Sequence, residues 1–362
     1  MTSITARLDD LTRALRRAPM FRDRTNLMAT AGLGAGLAYL AFRFVGWAVV
    51  TSIWTLPQGT GSQLCRAAMG EGACWAVIHE RFRFILLGAY PFHEQWRPAL
   101  VCLLFASLYV ASGIRAWWKP WLLGFWIAVP IGAIILLRGG LFGLASVPSE
   151  FWGGLPLTFL LSTVGFAAAF PLAVVLALGR RSQMPVIRVL SIAYIELIRG
   201  VPLITFLFMA AVMFPLFMPH AFTIDKLLRA QIALVMVIAA YLAEVIRAGL
   251  QAIPKGQYEA AASMGLPFWP AMILIVLPQA LRITIPALVN TFIAVFKDTT
   301  LVAIIGLFDL LGAAKAVIID PKWVGFSIEV YLFVAAVYFA FCYAVSQYSQ
   351  YLEKALMARS HH

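Results

Sequence analysis

The sequence predicts an all-α integral membrane protein of about eight transmembrane helices, on three observations. Of its 362 residues, 62% are apolar and only 12% charged, with a mean hydropathy of +0.88. A soluble domain is about half apolar and roughly a quarter charged, so this chain has too little polar surface to cover itself in water. The apolar residues also gather in runs long enough to cross a hydrocarbon core of about 30 Å, which takes about 20 helical residues. Finally, the basic residues behind the net charge of +12 stand in the short breaks between those runs. There they set orientation by the positive-inside rule; they form no continuous patch with interleaved aromatics of the kind that suits nucleic acid.

Taken in order, residues 1–26 form a basic tail with Arg7, Arg13, Arg16, Arg17, Arg22 and Arg24, expected on the cytoplasmic side. No cleavage pattern follows the first apolar run, so the N-terminus is expected to be kept. Residues 27–138 read as a three-helix extension: Leu27 to Thr55, Pro98 to Ala116 and Trp121 to Leu137. Arg115 and Lys119 mark the turn between the last two as cytoplasmic. The loop over residues 56–97 is then periplasmic, although it carries Arg66, Arg81, Arg83 and Arg97. Residues 139–156, and again Leu301 to Val324, are too broken by Gly, Pro and charge to cross, and read as interfacial segments.

Residues 157–354 supply five further spans: Leu157 to Gly179, Ile192 to Met218, Gln231 to Leu250, Ile283 to Phe296 and Ile328 to Tyr348. Arg180, Arg181 and Arg188, then Arg247 and Lys255, then Lys354 and Arg359 follow alternate exits, which places both termini in the cytoplasm. Residues 355–362 are a tail whose Ser360, His361 and His362 look like a tag remnant.

Cys102 and Cys342 fall inside apolar runs and read as packing residues. Cys65 and Cys74 share a Gly-rich loop assigned to the oxidising side, where they are either a disulfide or two free thiols.

The most informative segment lies between the sixth and seventh spans, within residues 253–281: EAAASMGLPFWPAMILIVLP, from Glu259 to Pro278. Glu259 is expected to open a short helix, where an acidic group suits the dipole, and Gly265 to end it. Pro267 and Pro270 keep this helix from fusing with the next, and Pro278 is expected to break or kink that second helix. A rigid helix-turn-helix protruding from the membrane suits the transmission of a push from a soluble partner.

This segment resembles the EAA loop of permease subunits of bacterial ABC importers: Glu259, Ala260, Ala261, Gly265, Ile275, Leu277 and Pro278 match every defined position of that pattern. The flanking strings ELIRGVPL (Glu196 to Leu203), AYLAEVIRAGLQAIPKGQYEAA (Ala240 to Ala261), LPQALRITIPALVN (Leu277 to Asn290) and KDTTL (Lys297 to Leu301) are similar to the polar amino-acid subfamily, which serves histidine, glutamine, glutamate and arginine. The N-terminal extension looks like that of the longer permease subunit of general L-amino-acid transporters. The resemblance implies a type I ABC importer permease core of five helices, whose short coupling helix docks on a dimer of ATP-binding subunits, with Ala261 and Gly265 allowing close approach. It also implies a second related permease subunit and a periplasmic amino-acid-binding protein as partners, with polar L-amino acids moved to the cytoplasm by alternating access.

No G-x-x-x-x-G-K-[ST] string occurs, so ATP and magnesium are expected on the partner and no cofactor on this chain. His79, His93 and His220 lack metal-ligand spacing, and no catalytic triad presents itself, so no catalysis is expected of this chain. Two charged pairs at i, i+3, Glu196 with Arg199 and Glu244 with Arg247, are either local ion pairs at the interface or parts of a gate. Asn290, Lys297, Asp298 and Thr299 are candidates for the substrate path; alternatively, Lys297 and Asp298 snorkel to the outer interface. A permease for another small solute and an ion-coupled secondary transporter are the rival functions, the second disfavoured by the EAA loop.

Overall fold

The computed structural model describes residues 24–57, 62–141, 143–219 and 224–357. Most of the basic N-terminal tail, His220, and residues 358–362 with the tag-like end lie outside them. The described residues hold seven helical runs long and apolar enough to cross a membrane, and a sharply bent helix pair that makes up to eight.

The chain divides into two compact units, residues 1–80 and 81–362. In the first, α1 (Arg24–Val50) is apolar on nearly every side and ends in a π-helical turn. A short helix, α2 (Gln63–Ala67), comes next. Ile53 bridges to Cys74, and the Trp75 indole donates to Ala48 O at 2.7 Å. The segment over 56–97, expected as a periplasmic loop, carries α2 and, starting at Ala76, α3 (Ala76–Leu87). Helices this short leave no membrane-length apolar run in the sequence.

In the second unit, α4 (Trp96–Gly113) and α5 (Pro120–Arg138) precede α6 (Gly154–Arg180). One buried cluster joins Val101, Phe105 and Leu108 of α4 and Val129 and Ala133 of α5 to Phe159 and Leu160 of α6. α4 and α5 thus share a core with α6. Two of the arginines in the 56–97 segment are neutralised within this unit. Arg81 pairs with Asp320 at 2.6 Å, while Arg97, 1% exposed, pairs with Glu94 at 2.9 Å and donates to Ala145 O at 2.7 Å.

The fifth run expected from the sequence, Ile192 to Met218, is not one straight span. It is a pair, α7 (Pro185–Gly200) and α8 (Leu203–Leu216), bent by 97°. Pro202 explains the break: it supplies no N–H and drives Val201 into extended backbone, φ −109° and ψ 133°. A π turn at Met209–Met213 widens α8, and Arg229 of the next helix donates to the carbonyls of Ala210 and Ala211 there, at 3.2 and 2.6 Å.

The core of the unit is the packing of α6, α9 (Lys226–Ala252) and α11 (Phe268–Ile305). Between helices in lipid, contact rests on close van der Waals fit, which small residues permit. Ala169, Ala173 and Ala177 of α6 and Ala233, Ala239 and Ala243 of α9 fill this interface. α10 (Lys255–Ser263) joins α9 to α11. Beyond α11, Asp309 is fully buried and caps α12 (Leu310–Ile318): its Oδ1 accepts from Gly312 N at 2.9 Å and its Oδ2 from the Tyr338 hydroxyl at 3.2 Å. Tyr338 stands on α13 (Ser327–Met357), the last helix among the described residues.

Candidate functional site

The loop between α9 and α11 folds as two helices around a left-handed turn. α10 begins at Lys255 after Pro254, so Glu259 lies in the middle of the helix and not in its first turn. The helix-dipole role expected for Glu259 therefore does not apply; its side chain is exposed, and its carbonyl accepts from Ser263 Oγ at 2.9 Å. Gly265 has φ +72°, with nothing within 4 Å of where a Cβ would stand. The left-handed turn, and not crowding, demands glycine here, with Gly265 N bonded to Ala262 O and Leu266 N to Ala261 O.

Ala260 is exposed, but Ala261 is 1% exposed and turned toward the rest of the chain. Within the loop the small Ala261 side chain serves the packing of α10 on its own protein. Pro278 does not break the second helix either. Pro267 caps α11, Pro270 falls in its first turn, and a π turn at Met272–Val276 absorbs the missing donor of Pro278, so the helical run continues to Ile305. The span expected over Ile283 to Phe296 is accordingly part of a longer helical run, Phe268–Ile305. Ile275, Leu277 and Pro278 are half-buried on this run.

Three polar contacts brace α10. The Arg181 Nη1 donates to Leu250 O, the end of α9, at 2.9 Å, and to the Tyr258 hydroxyl at 3.1 Å. Tyr258 itself donates to Leu250 O at 3.3 Å, and its ring lies 5.7 Å from the Arg181 guanidinium. On the other side, Gln279 Nε2 donates to Gln257 Oε1 at 3.0 Å and to Ile275 O at 2.8 Å. Past the end of α10, Met264, Phe268 and Trp269 are exposed.

At the same end of the bundle, the two charged pairs meet in one cluster. Glu244 pairs with Arg247 at 2.9 Å, as the i, i+3 spacing implies. Glu196 does not pair with Arg199; it pairs with Arg180, 2.9 Å away on α6, because the helices α6 and α7 run side by side. Arg180 also reaches Glu244 at 2.7 Å, and Arg199 stands 3.9 Å from it. Glu244, 17% exposed, is thus shared by arginines from three helices. In the sequence Arg180 stands only as a topology marker. Its partners are distant along the chain, so no local spacing points to them.

The expected path residues separate. Asn290 and Asp298 line a cleft of about 480 Å³ between α8, α9 and α11, together with Leu203, Tyr241 and Thr291. Lys297 does not line it, and Thr299 is buried with its hydroxyl bonded to Phe296 O at 2.9 Å. Successive helical residues point about 100° apart, which sends neighbours to different faces.

Cys65 and Cys74 are joined as a disulfide, with Cα atoms 5.7 Å apart. Cys102 and Cys342 are free and half-buried. Among the described residues no cluster of His, Cys, Asp or Glu suits a metal.

A family model described as the binding-protein-dependent transport system inner membrane component matches residues 169–357, which contain the bent pair, the braced loop and the cleft. The chain belongs to that family. It is 45% identical over 344 residues to the inner membrane amino-acid ABC transporter permease protein YhdY of Escherichia coli, covering 93% of this chain and 91% of that one. It is 38% identical over 360 residues to the glutamate/glutamine/aspartate/asparagine transport system permease protein BztC of Rhodobacter capsulatus, covering 81% and 82%. Among solved structures, one described as an amino acid ABC transporter with histidines aligns at a TM-score of 0.50 and 32% identity, over 56% of this chain and 92% of that one. The protein is therefore an inner-membrane permease subunit of an ABC transport system. It is a transport subunit and not an enzyme; ATP hydrolysis belongs to a separate ATP-binding subunit.

Proposed function

We propose that the protein imports polar L-amino acids from periplasm to cytoplasm, together with a second related permease subunit in a heterodimer. A dimer of ATP-binding subunits holds the ATP and magnesium, and a periplasmic binding protein delivers the substrate. The relatives named for amino-acid transport, two of them matched over most of this chain, carry the choice of substrate class.

In this reading α10, with Glu259, Ala260 and Ala261, is the coupling helix, and Gly265 with Ile275, Leu277 and Pro278 completes the ATPase-coupling segment. Its support is mechanical: a short helix braced at Tyr258 and Gln257, followed by exposed apolar side chains at Met264, Phe268 and Trp269 in the turn and at the start of α11, is a surface suited to a protein groove. Placing this loop in the cytoplasm follows from the basic residues beside it, Arg180, Arg181, Arg247 and Lys255, and puts both termini on the same side. The disulfide then lies in the periplasm, where such bonds persist.

The cleft beside Asn290 and Asp298 is the substrate path. An amino acid carries a carboxylate and an ammonium, and an amide with a neighbouring carboxylate supplies a donor for the first and an acceptor for the second. The Glu244 cluster, at the coupling end of the same helices, closes the path toward the cytoplasm. ATP binding draws the coupling helices together and shifts the equilibrium to the outward-open state.

The test is to co-purify the chain with its ATP-binding and permease partners in liposomes and measure hydrolysis with the liganded binding protein, one amino acid at a time. Stimulation by polar amino acids alone is expected. Hydrolysis indifferent to the binding protein, or stimulated only by an unrelated solute, overturns the reading.

A further inference from the structure

We propose that the adjacent residues Arg180 and Arg181 link the coupling helix to the ion-pair cluster, so that Arg181 and Tyr258 are positioning residues for the coupling of ATP hydrolysis to transport. The inference rests on the assignment of α10 as the coupling helix.

Arg180 is the last residue of α6 and Arg181 its cap, with φ −95° and ψ −2°. Their side chains diverge, as those of successive residues on a helical backbone must. Arg180 reaches Glu196 of α7 and Glu244 of α9, while Arg181 reaches Leu250 O at the end of α9 and Tyr258 on α10. One peptide bond, holding the two Cα atoms about 3.8 Å apart, therefore joins the polar anchor of α10 to the cluster.

The chemistry of the two ends differs. Arg181 is bonded to a carbonyl and a phenol and stacks on the Tyr258 ring. These contacts are directional, and the α9 carbonyl is the negative end of a helix dipole. Arg180 is held by two carboxylates through the same nitrogen. If α10 moves against α9, the Tyr258 contacts to Arg181 and Leu250 O must stretch together, and Arg181 then pulls on the end of α6. That displacement changes the Arg180 contact shared by Glu196 and Glu244. The cluster has three guanidiniums, of Arg180, Arg199 and Arg247, around two carboxylates, with Arg199 loosely placed at 3.9 Å. An arrangement with a spare donor can exchange partners without leaving a carboxylate unpaired, as a two-position latch requires.

The experiment uses the assembled complex in liposomes and reads the number of ATP molecules hydrolysed per substrate moved. Tyr258→Phe removes one hydroxyl and keeps the ring; Arg181→Met removes the guanidinium. Both are expected to raise the ratio severalfold while the amount of co-purifying ATP-binding subunit stays at the wild-type level. Arg181→Lys, which keeps the charge but not the fork, falls between. Arg188→Met, removing a charge from the same end, leaves the ratio unchanged.

An otherwise unaltered loop carrying Ala262→Cys reports contact with the ATP-binding subunit by crosslinking. If it never crosslinks, the coupling-helix assignment falls and this inference with it. If it crosslinks while Tyr258→Phe and Arg181→Met keep the wild-type ratio, the inference alone is overturned. A ratio that rises only in proportion to lost ATP-binding subunit overturns it equally.

Discussion

Gly249 and Thr284 stand closer than any side chain at position 249 would allow: a Cβ there would lie 2.4 Å from Thr284 Cγ2 and 2.8 Å from Ala280 O. This is the crossing of α9 and α11 just before the chain leaves for the loop that carries α10. Backbone contact at this point fixes the two bases on which α10 rests.

Gly249→Ala is therefore expected to push the two helices apart. Overpacking of a fitted contact costs about 1–3 kcal/mol, and Ala280 O, being backbone, has little room to yield. Thermal unfolding in detergent should show a midpoint several degrees lower. Coupled transport should fall more than stability does, since the shift is delivered to the loop.

The turn at Gly265 makes a different demand. Its φ of +72° disfavours any L side chain, yet the space around it is open. Gly265→Ala is expected to cost about 1–2 kcal/mol in the turn and to lower binding-protein-stimulated hydrolysis, whereas Gly265→Asn, which tolerates the left-handed region, should retain most of it. Equal loss in both variants would mean that a partner needs the bare backbone at this position, and the comparison of the two rates decides between these causes.

How far the sequence alone reveals these features depends on the range of each interaction. Helix existence depends on local apolar runs, so the spans are readable from Leu157 or Gln231 onward, and the EAA loop is readable because its residues are contiguous. The bend at Pro202 is signalled by proline but masked by the length of the apolar run. Glu259 sits one turn deeper in α10 than the motif suggests, because Pro254 begins the helix at Lys255. The Arg180–Glu244 and Arg181–Tyr258 contacts join residues 64 and 77 positions apart. No spacing rule reaches that far, and the same residues serve a charge rule that already explains them. Asn290 and Asp298 share the cleft while Lys297 and Thr299 do not, a distinction set by which neighbour packs on each face of α11.

Glu244 holds two arginines at 2.9 Å or less, with a third nearby, in a half-buried site. Glu244→Gln would leave guanidiniums facing one another. Its cost should lie between the roughly 1 kcal/mol of an exposed pair and the 3–5 kcal/mol of breaking a buried one. If the cluster closes the path, this variant hydrolyses ATP faster without binding protein than the wild type does. A basal rate unchanged beside a normal yield of complex would confine Glu244 to a structural role.

Asp309 should make stability depend on pH. Burial pushes its carboxyl up to about 6, while the bond from Gly312 N and the Tyr338 hydroxyl act in the opposite direction. The folded protein therefore holds the proton more tightly than the unfolded chain, whose Asp titrates near 3.9. The stabilisation is fully present below about pH 4 and is lost as pH rises through about 6, a change on the order of 3 kcal/mol. Asp309→Asn keeps an acceptor for Gly312 N and removes the charge, so its unfolding midpoint between pH 4 and 7 should fall less than that of the wild type. Parallel curves for the two proteins would rule out Asp309 as the source.

The disulfide ties chemistry to sidedness. Cys65 and Cys74 close a short loop, nine residues apart in sequence, which by chain entropy stabilises by about 2–3 kcal/mol. The bond persists only if that loop faces an oxidising compartment. A membrane-impermeant maleimide applied to cells with a permeable outer membrane should leave the protein unlabelled. After treatment with an impermeant reductant it should add two labels, which Cys65→Ser with Cys74→Ser abolishes. Cys102 and Cys342, half-buried in membrane helices, should contribute none. Labelling without reduction would mean free thiols in the cell. Labelling only after the inner membrane is opened would place the loop in the cytoplasm and, with an odd number of spans between, reverse the side assigned to the coupling loop.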